Sequence, residues 1–116
     1  MDPAACKVIA ERYYTALDND EYSVLRELLS TDFTQFRPDR TFEEKSAFID
    51  FMQHNRPHNE TTHAISGWYG SKQADPRSIC AEGELKLADE STLFQFIDVL
   101  LLDADGKIQT ISTYTR

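Results

Sequence analysis

The spacing of apolar residues changes once along this chain of 116 residues, at about Thr61. Before that point apolar residues recur every three or four positions, which is typical of helices that bury one face. After it apolar and polar residues alternate, which is typical of strands in an antiparallel sheet. Helices followed by a run of strands favour an α+β fold with the helices packed on one face of the sheet. The length suits a single domain that spans residues 1–116.

The first third of the chain predicts two helices and a short strand. Asp2 can cap the first helix, and Pro3 suits its first turn, where the missing N–H of a proline removes no hydrogen bond. This helix is predicted to end at residues 19–20, where a second, short helix begins. Residues 30–32 should break the second helix, and a strand at residues 33–36 should follow it.

A third helix is predicted to begin at Thr41. Thr41 and Glu44 have the spacing of a capping box, in which each side chain accepts a hydrogen bond from the backbone N–H of the other residue. Pro57 should end this helix, because proline cannot continue a helix without losing a backbone hydrogen bond.

Four strands are predicted after the helices, at residues 61–70, 78–87, 92–102 and 107–115. The sequence Asp-Ala-Asp-Gly at residues 103–106 indicates a tight hairpin, so the last two strands should pair with each other. Turns are predicted at residues 74–76 and 88–90, where short polar residues and a proline interrupt the alternation.

The charge balance excludes two classes of partner. The chain has 12 basic and 20 acidic residues, a formal charge of −8. Nucleic acids and anionic membranes are bound through basic surfaces, so we expect neither as a partner. No apolar run reaches the roughly 18 residues of a membrane span, and no signal peptide pattern is present. Cys6 and Cys80 show no paired or metal-binding spacing, which predicts buried thiols in a reducing cytoplasm.

The strand at residues 92–102 contains the most informative polar residue, Asp98. One face of this strand has Leu93, Gln95, Ile97, Val99 and Leu101, and the other has Phe94, Phe96, Asp98, Leu100 and Leu102. Because both faces are largely apolar, we expect both to be covered. A carboxylate in such surroundings has a raised pKa unless it is paired, and perturbed groups cluster at functional sites. Asp98 therefore indicates a ligand pocket or a structural pair with an arginine, a tyrosine or the backbone.

Aromatic side chains supply candidates for the wall of such a pocket. Tyr13 and Tyr14 lie on or beside the apolar stripe of the first helix, and either hydroxyl could use Asp98 as its partner. Further candidates for contact with a small apolar or carbonyl-containing ligand are Phe51, Trp68, Phe96 and Tyr114. The alternative for each of them is ordinary core packing.

Three histidines, His54, His58 and His63, lie close together in the sequence. His54 and His58 have a spacing that suits a metal site on a helix, but Pro57 lies between them and no third ligand follows. We therefore expect no metal and no cofactor. His63 opens the first long strand, so it is either a general base that faces the pocket or a hydrogen-bonded core residue.

Two stretches around the third helix resemble a known superfamily. They are RYYTALDNDEYSVLRELLSTDFTQFRP at residues 12–38 and FQFIDVLLLDADGKIQTISTYTR at residues 94–116. Together they look like the nuclear transport factor 2-like superfamily, in particular its SnoaL-like polyketide cyclases and ketosteroid isomerases. The resemblance implies a cone of three N-terminal helices on a strongly curved, mainly antiparallel sheet. It also implies a pocket at the open end and a homodimer.

The isomerase site maps only partly onto this chain. The resemblance assigns an oxyanion-binding tyrosine to Tyr13 and a neutral, hydrogen-bond-donating carboxylic acid to Asp98. The catalytic carboxylate of the isomerases should precede the proline after the first strand, but here Arg37 precedes Pro38. An arginine cannot abstract a proton at neutral pH, so steroid-type isomerisation is disfavoured.

Two hypotheses remain open. The first is a small-molecule pocket protein that acts as a cofactor-independent isomerase, cyclase or lyase beside a carbonyl. Tyr13 and Asp98 would stabilise the oxygen, and His63 would be the base. The second is a non-catalytic module for ligand binding, dimerisation or protein interaction. In that case Arg37 would bind an anionic ligand or form an internal ion pair with Asp98.

Overall fold

The structure is a computed structural model that describes residues 2–58, 60–70 and 77–116. Helix α1 comprises Pro3–Asp18, and the carboxylate of Asp2 caps it by accepting a hydrogen bond of 2.8 Å from the backbone N–H of Ala5. Helix α2 comprises Tyr22–Leu28. Both helices and the cap agree with the sequence prediction. The turn predicted at residues 74–76 lies outside the described residues.

Strand β1, Leu29–Phe36, begins earlier than predicted. The polar residues 30–32 were expected to separate a helix from a strand, but they lie within β1, where its pairing with the last strand shifts register. Leu29 and Phe33 on either side of them are buried. Burial of these two apolar residues therefore outweighs the local preference of Ser, Thr and Asp for a turn.

The capping box prediction at Thr41 is wrong. Thr41 and Phe42 form strand β2, which pairs antiparallel with the end of β1. Thr41 thus joins the sheet instead of capping a helix, and Glu44, at the N-cap of the next helix, makes no side-chain cap hydrogen bond. Helix α3, Lys45–Asp50, begins after Glu44 and continues into a π-helical turn, Phe51–Asn55, before the predicted stop at Pro57.

The remaining strands agree with the alternation pattern to within one or two residues. They are β3 (Thr62–Tyr69), β4 (Ser78–Lys86), β5 (Thr92–Leu102) and β6 (Ile108–Thr115). The sheet order is β2-β1-β6-β5-β4-β3, and every neighbouring pair is antiparallel except β1 and β6. The predicted hairpin between β5 and β6 is confirmed, with Gly106 in the left-handed region at a φ of 80°.

Bulges bend this sheet into the curved shape that the fold requires. Register shifts occur in the pairings of β3 with β4, β4 with β5 and β5 with β6. Bulges increase local twist and bend the bulged strand. Gly83 on β4 lies opposite the bulge in β3, where a Cβ atom would collide with the carbonyl oxygen of Ala64. The structure confirms the predicted α+β class, a curled and unclosed sheet with three helices packed against it.

The helices cover only one face of the sheet. On β5, Phe96, Asp98 and Leu100 face the helices and are buried, whereas Leu93 and Ile97 on the other face are 40% and 42% exposed. The prediction that both faces of β5 are covered is therefore wrong for the single chain, because the described elements form only one helical layer. None of the helices in these ranges is long and apolar enough to cross a membrane.

Candidate functional site

A cavity of about 330 Å³ has both helical and strand residues in its wall. They come from α1, β1, α3 and its π-helical turn, β3, β4, β5 and β6. This volume lies within the range of small-molecule sites. The polar wall residues that matter for the chemistry below are Tyr13, Gln35, Arg37, His63, Asp98 and Thr113.

Asp98 lies in the cavity wall and is only 5% exposed. The hydroxyl of Tyr14 donates a hydrogen bond of 2.6 Å to its Oδ2, and the hydroxyl of Thr113 donates one of 2.6 Å to its Oδ1. Thr113 is the residue directly opposite Asp98 on β6, so strand pairing brings these two side chains together. Both carboxyl oxygens therefore have a partner from the protein.

Opposing effects act on the pKa of Asp98. Burial raises the pKa above its ordinary value, because the charged form loses hydration. Hydrogen bonds from Thr113 and Tyr14, and the electrostatic effects of His63 and Arg37, lower it in part. Burial is the largest of these effects, and the pKa remains raised. Asp98 therefore keeps its proton to a higher pH than an exposed aspartate does.

The two adjacent tyrosines of α1 differ in their surroundings. Tyr14 donates to Asp98 and packs behind the wall, with its ring 5.0 Å from that of Tyr13. The sequence allowed either Tyr13 or Tyr14 to pair with Asp98, and Tyr14 is the one that does. Tyr13 was assigned as the oxyanion-binding tyrosine by the family resemblance. It lines the cavity, and no hydrogen bond of its hydroxyl is found within the described ranges. Burial, followed by the charge of Asp98, raises the pKa of both hydroxyls well above the ordinary value, so both remain protonated.

His63 lies in the cavity wall and is paired with Asp18, the last residue of α1. Its Nδ1 is 2.6 Å from Oδ1 of Asp18, and its backbone N–H donates to the same carboxylate at 3.0 and 3.2 Å. The rings of Tyr14 and Phe96 pack on the imidazole at 5.2 and 5.5 Å. An ionised Asp18 accepts from Nδ1–H, so Nε2 remains as the nitrogen that can take a proton.

Arg37 lines the cavity but does not pair with Asp98. Its Nε donates to Oδ1 of Asp39 at 3.0 Å, and its guanidinium lies 5.4 Å from the centre of the Phe51 ring. The tight turn between β1 and β2 places Asp39 beside it, since the backbone N–H of Arg37 donates to the carbonyl of Arg40 at 2.9 Å. The expected internal ion pair with Asp98 is therefore replaced by a local one at the rim.

The other predicted contact residues divide into two groups. Phe51 and Phe96 line the cavity together with Tyr13 and Arg37. Trp68 and Tyr114 do not line it. The ring of Trp68 packs against Tyr14 at 6.0 Å, and Tyr114 is exposed on the outer face of the sheet.

Comparison with known families identifies the domain. The sequence model of the SnoaL-like domain matches residues 10–111, which is most of the chain. The chain belongs to the SnoaL-like family. This family lies within the nuclear transport factor 2-like superfamily, as the resemblance implied. No curated protein matches the sequence.

Solved structures share this SnoaL-like fold at low sequence identity. The epoxide hydrolase/cyclase-like enzyme SalBIII, which acts in pyran ring formation in the polyether salinomycin, has 15% identity and a TM-score of 0.83, with 99% of this chain and 93% of SalBIII covered. An LEH-like epoxide hydrolase of M. tuberculosis has 16% identity, a TM-score of 0.79 and coverages of 97% and 84%. A second Mycobacterium tuberculosis protein, in complex with estradiol-17β-hemisuccinate, has 12% identity, a TM-score of 0.76 and coverages of 95% and 92%.

Polar residues in or beside the cavity wall that the sequence did not reveal include Thr113, Asp18, Gln35 and Arg56. Thr113 lies opposite Asp98 because the pairing of β5 with β6 shifts register between Leu101 and Leu102, a shift that the 103–106 hairpin alone does not reveal. Asp18 pairs with His63 across 45 residues of chain, and no local pattern marks that contact. Gln35 and Arg56 also line the cavity, and an ion pair of 2.7 Å joins Arg56 to Asp20. Arg56 follows a helix end, where a charged residue is usually a surface residue, so the sequence does not indicate that Arg56 lines a cavity.

The histidine spacing does not produce a metal centre in the part of the chain that is described. His54 lies on the exposed side of the π-helical turn, whereas His58 lines the cavity. No group of three or more His, Cys, Asp or Glu side chains in these ranges could hold a metal ion.

Proposed function

We propose that this SnoaL-like protein is a cofactor-independent isomerase, cyclase or lyase that acts beside a carbonyl group of a small molecule. One observation carries the proposal: His63, which is hydrogen-bonded to Asp18, lines the same cavity as Asp98 and Tyr13. A base and two oxygen-binding groups on one apolar cavity are the parts that proton transfer beside a carbonyl requires.

His63 would be the base. Its neutral form has a lone pair on Nε2 when Nδ1–H donates to Asp18. As the ring takes a proton from the substrate carbon, the carboxylate of Asp18 stabilises the imidazolium that forms. Asp18 also holds the backbone of His63, so it is a positioning residue that fixes both the tautomer and the place of the ring.

Tyr13 and Asp98 would bind the substrate oxygen. The hydroxyl of Tyr13 is available for a ligand, and its raised pKa keeps its proton in place. Burial favours the protonated form of Asp98, which can donate a second hydrogen bond as negative charge develops on that oxygen. A proton on Oδ2 still lets Oδ1 accept from Thr113.

Hydrogen–deuterium exchange tests proton abstraction without knowledge of the natural substrate. Cyclic enones and aryl methyl ketones would be incubated with the protein in D2O, and loss of the α-hydrogen signal followed by proton NMR. We expect exchange above the buffer rate for at least one ketone. His63→Gln should lower the enzymatic rate by about a hundredfold or more, the usual contribution of a general base.

A matched control separates this role from a general effect of losing a histidine. His54 is exposed and lies away from the cavity, so His54→Gln should exchange at the wild-type rate. Asp98→Asn and Tyr13→Phe should each slow exchange. Exchange that persists in His63→Gln would rule out His63 as the base.

A non-catalytic ligand-binding module is the second candidate, and one observation favours it. Arg37 stands where the isomerases have their catalytic carboxylate, and it lines the cavity. In that case Arg37 would hold an anionic group of the ligand. 4-Acetylbenzoate should then bind more tightly than 4-acetylbenzamide, Arg37→Gln should abolish the difference, and no ketone should show exchange.

A homodimer through the outer face of the sheet belongs to the same proposal. Ile97 and Tyr114 are cross-strand partners on that face, and both are exposed in the single chain. Burial of this apolar surface would favour association. Sedimentation should give about twice the 13.3 kDa chain mass for the wild type and for Val8→Glu, which alters an exposed apolar residue of α1. Ile97→Glu should give a monomer, and a monomeric wild type would contradict the proposal.

A cytoplasmic location is also a proposal, supported by Cys6 and Cys80, which are both free thiols. Cell fractionation should recover the protein with cytosolic markers. Recovery from a secreted or envelope fraction would contradict it.

A further inference from the structure

We infer that Gln35 acts through Thr113 to set the pH at which Asp98 releases its proton, so that both are positioning residues of the proposed reaction. The Nε2 group of Gln35 donates a hydrogen bond of 3.2 Å to Oγ1 of Thr113. The hydroxyl of Thr113 donates one of 2.6 Å to Oδ1 of Asp98. Two donors in series therefore end on the acid that would bind the substrate oxygen.

The direction of these two hydrogen bonds follows from the ionised form of Asp98. An ionised carboxylate only accepts hydrogen bonds, so Thr113 gives its single hydroxyl proton to Oδ1. Oγ1 of Thr113 can then only accept on its other side, where it faces the NH2 end of the Gln35 amide. A reversed amide would place two acceptors against each other with no proton between them. Ionised Asp98 thus completes the chain of donors.

A proton on Oδ1 of Asp98 conflicts with this chain. That proton would have to point at Oγ1 of Thr113, which already accepts from Gln35, and Thr113 would have to turn its own proton away. Hydrogen bonds in series also strengthen one another, because the N–H of Gln35 polarises the hydroxyl of Thr113. The chain therefore stabilises the ionised form of Asp98 and opposes the effect of burial on its pKa.

Strand pairing holds the three side chains in a row. Gln35 on β1 pairs with Ile111 on β6, and Thr113 follows two residues later on the same face of β6. Thr113 pairs directly with Asp98 on β5. Gln35 is only 6% exposed, so bulk water competes little for its N–H. Three adjacent strands therefore fix the chain before any ligand arrives.

Other titratable or charged groups also act on Asp98 from the elements packed around it. They are Tyr13 and Tyr14 of α1, Arg37 directly after β1, and His63 of β3. All of them remain in place when Gln35 or Thr113 is replaced. A change in the pKa of Asp98 in such a variant can therefore be assigned to the donor chain.

The donor chain matters for the proposed reaction because it offsets burial. Burial by itself would make Asp98 a weak acid that shares its proton poorly with a substrate oxygen. Donors that lower its pKa make the neutral acid a stronger hydrogen-bond donor to the charge that develops on that oxygen. This catalytic consequence rests on the proposed function, whereas the effect on the pKa does not.

Carbon-13 NMR of the Asp98 carboxyl group would measure its titration midpoint in the full chain without any ligand. Thr113→Val keeps the shape of the side chain and removes the hydroxyl, so the midpoint should rise by at least about one pH unit. Gln35→Met keeps the length of the side chain and should raise the midpoint by about 0.3 pH unit or more. In a Thr113→Val background, Gln35→Met should raise it no further, because Gln35 acts through the Thr113 hydroxyl.

Two control variants match these changes. Thr113→Ser keeps the hydroxyl and should keep the wild-type midpoint of Asp98. Gln109 of β6 donates at 3.2 Å to the exposed carboxylate of Asp32, so Gln109→Met should also leave the Asp98 midpoint unchanged. An unchanged midpoint in Thr113→Val or in Gln35→Met would overturn the inference. A Gln35→Met effect of equal size in both backgrounds would overturn it as well.

The wild type provides a measurement that needs no variant. The side-chain amide signals of Gln35 should shift with the same midpoint as Asp98. Those of Gln109 should instead follow Asp32, whose pKa is lowered by hydrogen bonds from Ser30 and Gln109. Gln35 signals that do not follow Asp98 would overturn the inference even if a variant does not fold.

The deuterium exchange experiment separates this inference from the proposed function. The exchange rate should fall above the pKa of Asp98, and in Thr113→Val and Gln35→Met this fall should move to higher pH while the maximal rate drops. Shifted midpoints in a protein that exchanges no ketone would contradict catalysis and leave the donor chain standing. Exchange with an unmoved pH limb or an undiminished maximal rate would contradict the role of the chain in the reaction.

Discussion

Replacement of Tyr14 by phenylalanine tests whether a protein hydroxyl stabilises the buried carboxylate of Asp98. The substitution keeps the aromatic ring and removes only the hydroxyl that donates at 2.6 Å to Oδ2. Both residues are buried, so solvent reaches the carboxylate only through the cavity. Thr113 continues to donate to Oδ1 in the variant.

The expected loss can be worked out from this contact. A hydrogen bond to a charged group contributes about 1.5–3 kcal/mol, so Tyr14→Phe should lower the free energy of unfolding by about 2 kcal/mol at a pH where Asp98 is ionised, above its raised pKa. For a domain of 116 residues, an unfolding entropy of about 2.1 cal/mol/K per residue converts this loss to a fall of roughly 8 °C in the unfolding midpoint. The pKa of Asp98 should rise further, since the Tyr14 hydrogen bond lowers it.

Urea and thermal unfolding above the raised pKa of Asp98 would measure the loss, and Tyr69→Phe is the matched control. The Tyr69 hydroxyl also donates to a carboxylate, Oε1 of Glu82 at 2.9 Å, but both side chains are exposed. The control should lose no more than about 0.5 kcal/mol. If Tyr14→Phe is no less stable than Tyr69→Phe, the hydrogen bond to Asp98 does not hold the carboxylate and this reasoning fails.

Three further outcomes are expected. Gly83→Ala should lower the free energy of unfolding in urea by about 2 kcal/mol, because the new Cβ atom would collide with the backbone oxygen of Ala64. The control is Gly70→Ala, whose Cβ atom would have no neighbour within 4 Å, so this variant should be nearly neutral. The raised pKa of Asp98 means that the folded state binds this proton more readily than the unfolded state does. The free energy of unfolding should therefore fall as the pH rises from the ordinary carboxyl pKa through the raised pKa of folded Asp98. Asp98→Asn should remove that fall when the free energy of unfolding is measured against pH. Asp2→Ala should lower the free energy of unfolding by about 1 kcal/mol through loss of the α1 cap, and an unchanged urea midpoint would contradict the role of that cap.

Much of the fold follows from local patterns. The cap at Asp2, the alternation after Thr61 and the hairpin at residues 103–106 each depend on neighbouring residues, and the structure agrees with all three. The capping box predicted at Thr41 was wrong because a contact with another strand decided the structure there. Thr41 and Glu44 have the spacing of a helix start, but Thr41 pairs with Phe36 of β1, a contact that the local pattern does not encode.

In the candidate site, too, local patterns revealed some features, whereas contacts between distant segments could not be predicted. Asp98 was detectable because a carboxylate among apolar residues conflicts with the pattern of its own strand. The choice between Tyr13 and Tyr14 was not detectable, because adjacent helical residues differ by about 100° in direction and only the packing angle of α1 decides which one reaches Asp98. Asp18 and His63 are a further case, since their contact exists only where the end of α1 meets β3.

The sequence by itself determined the order of helices and strands, the hairpin and a buried acid on the central strand. Each is encoded by periodicity, turn residues or a local conflict of polarity. Only the tertiary structure decided which hydroxyls Asp98 accepts from, that Arg37 pairs with Asp39, and that Asp18 pairs with His63. These hydrogen bonds and ion pairs depend on contacts between segments that are distant in the chain, or on the geometry of one turn. Hydrogen bonds are also sensitive to displacements far smaller than the spacing between residues.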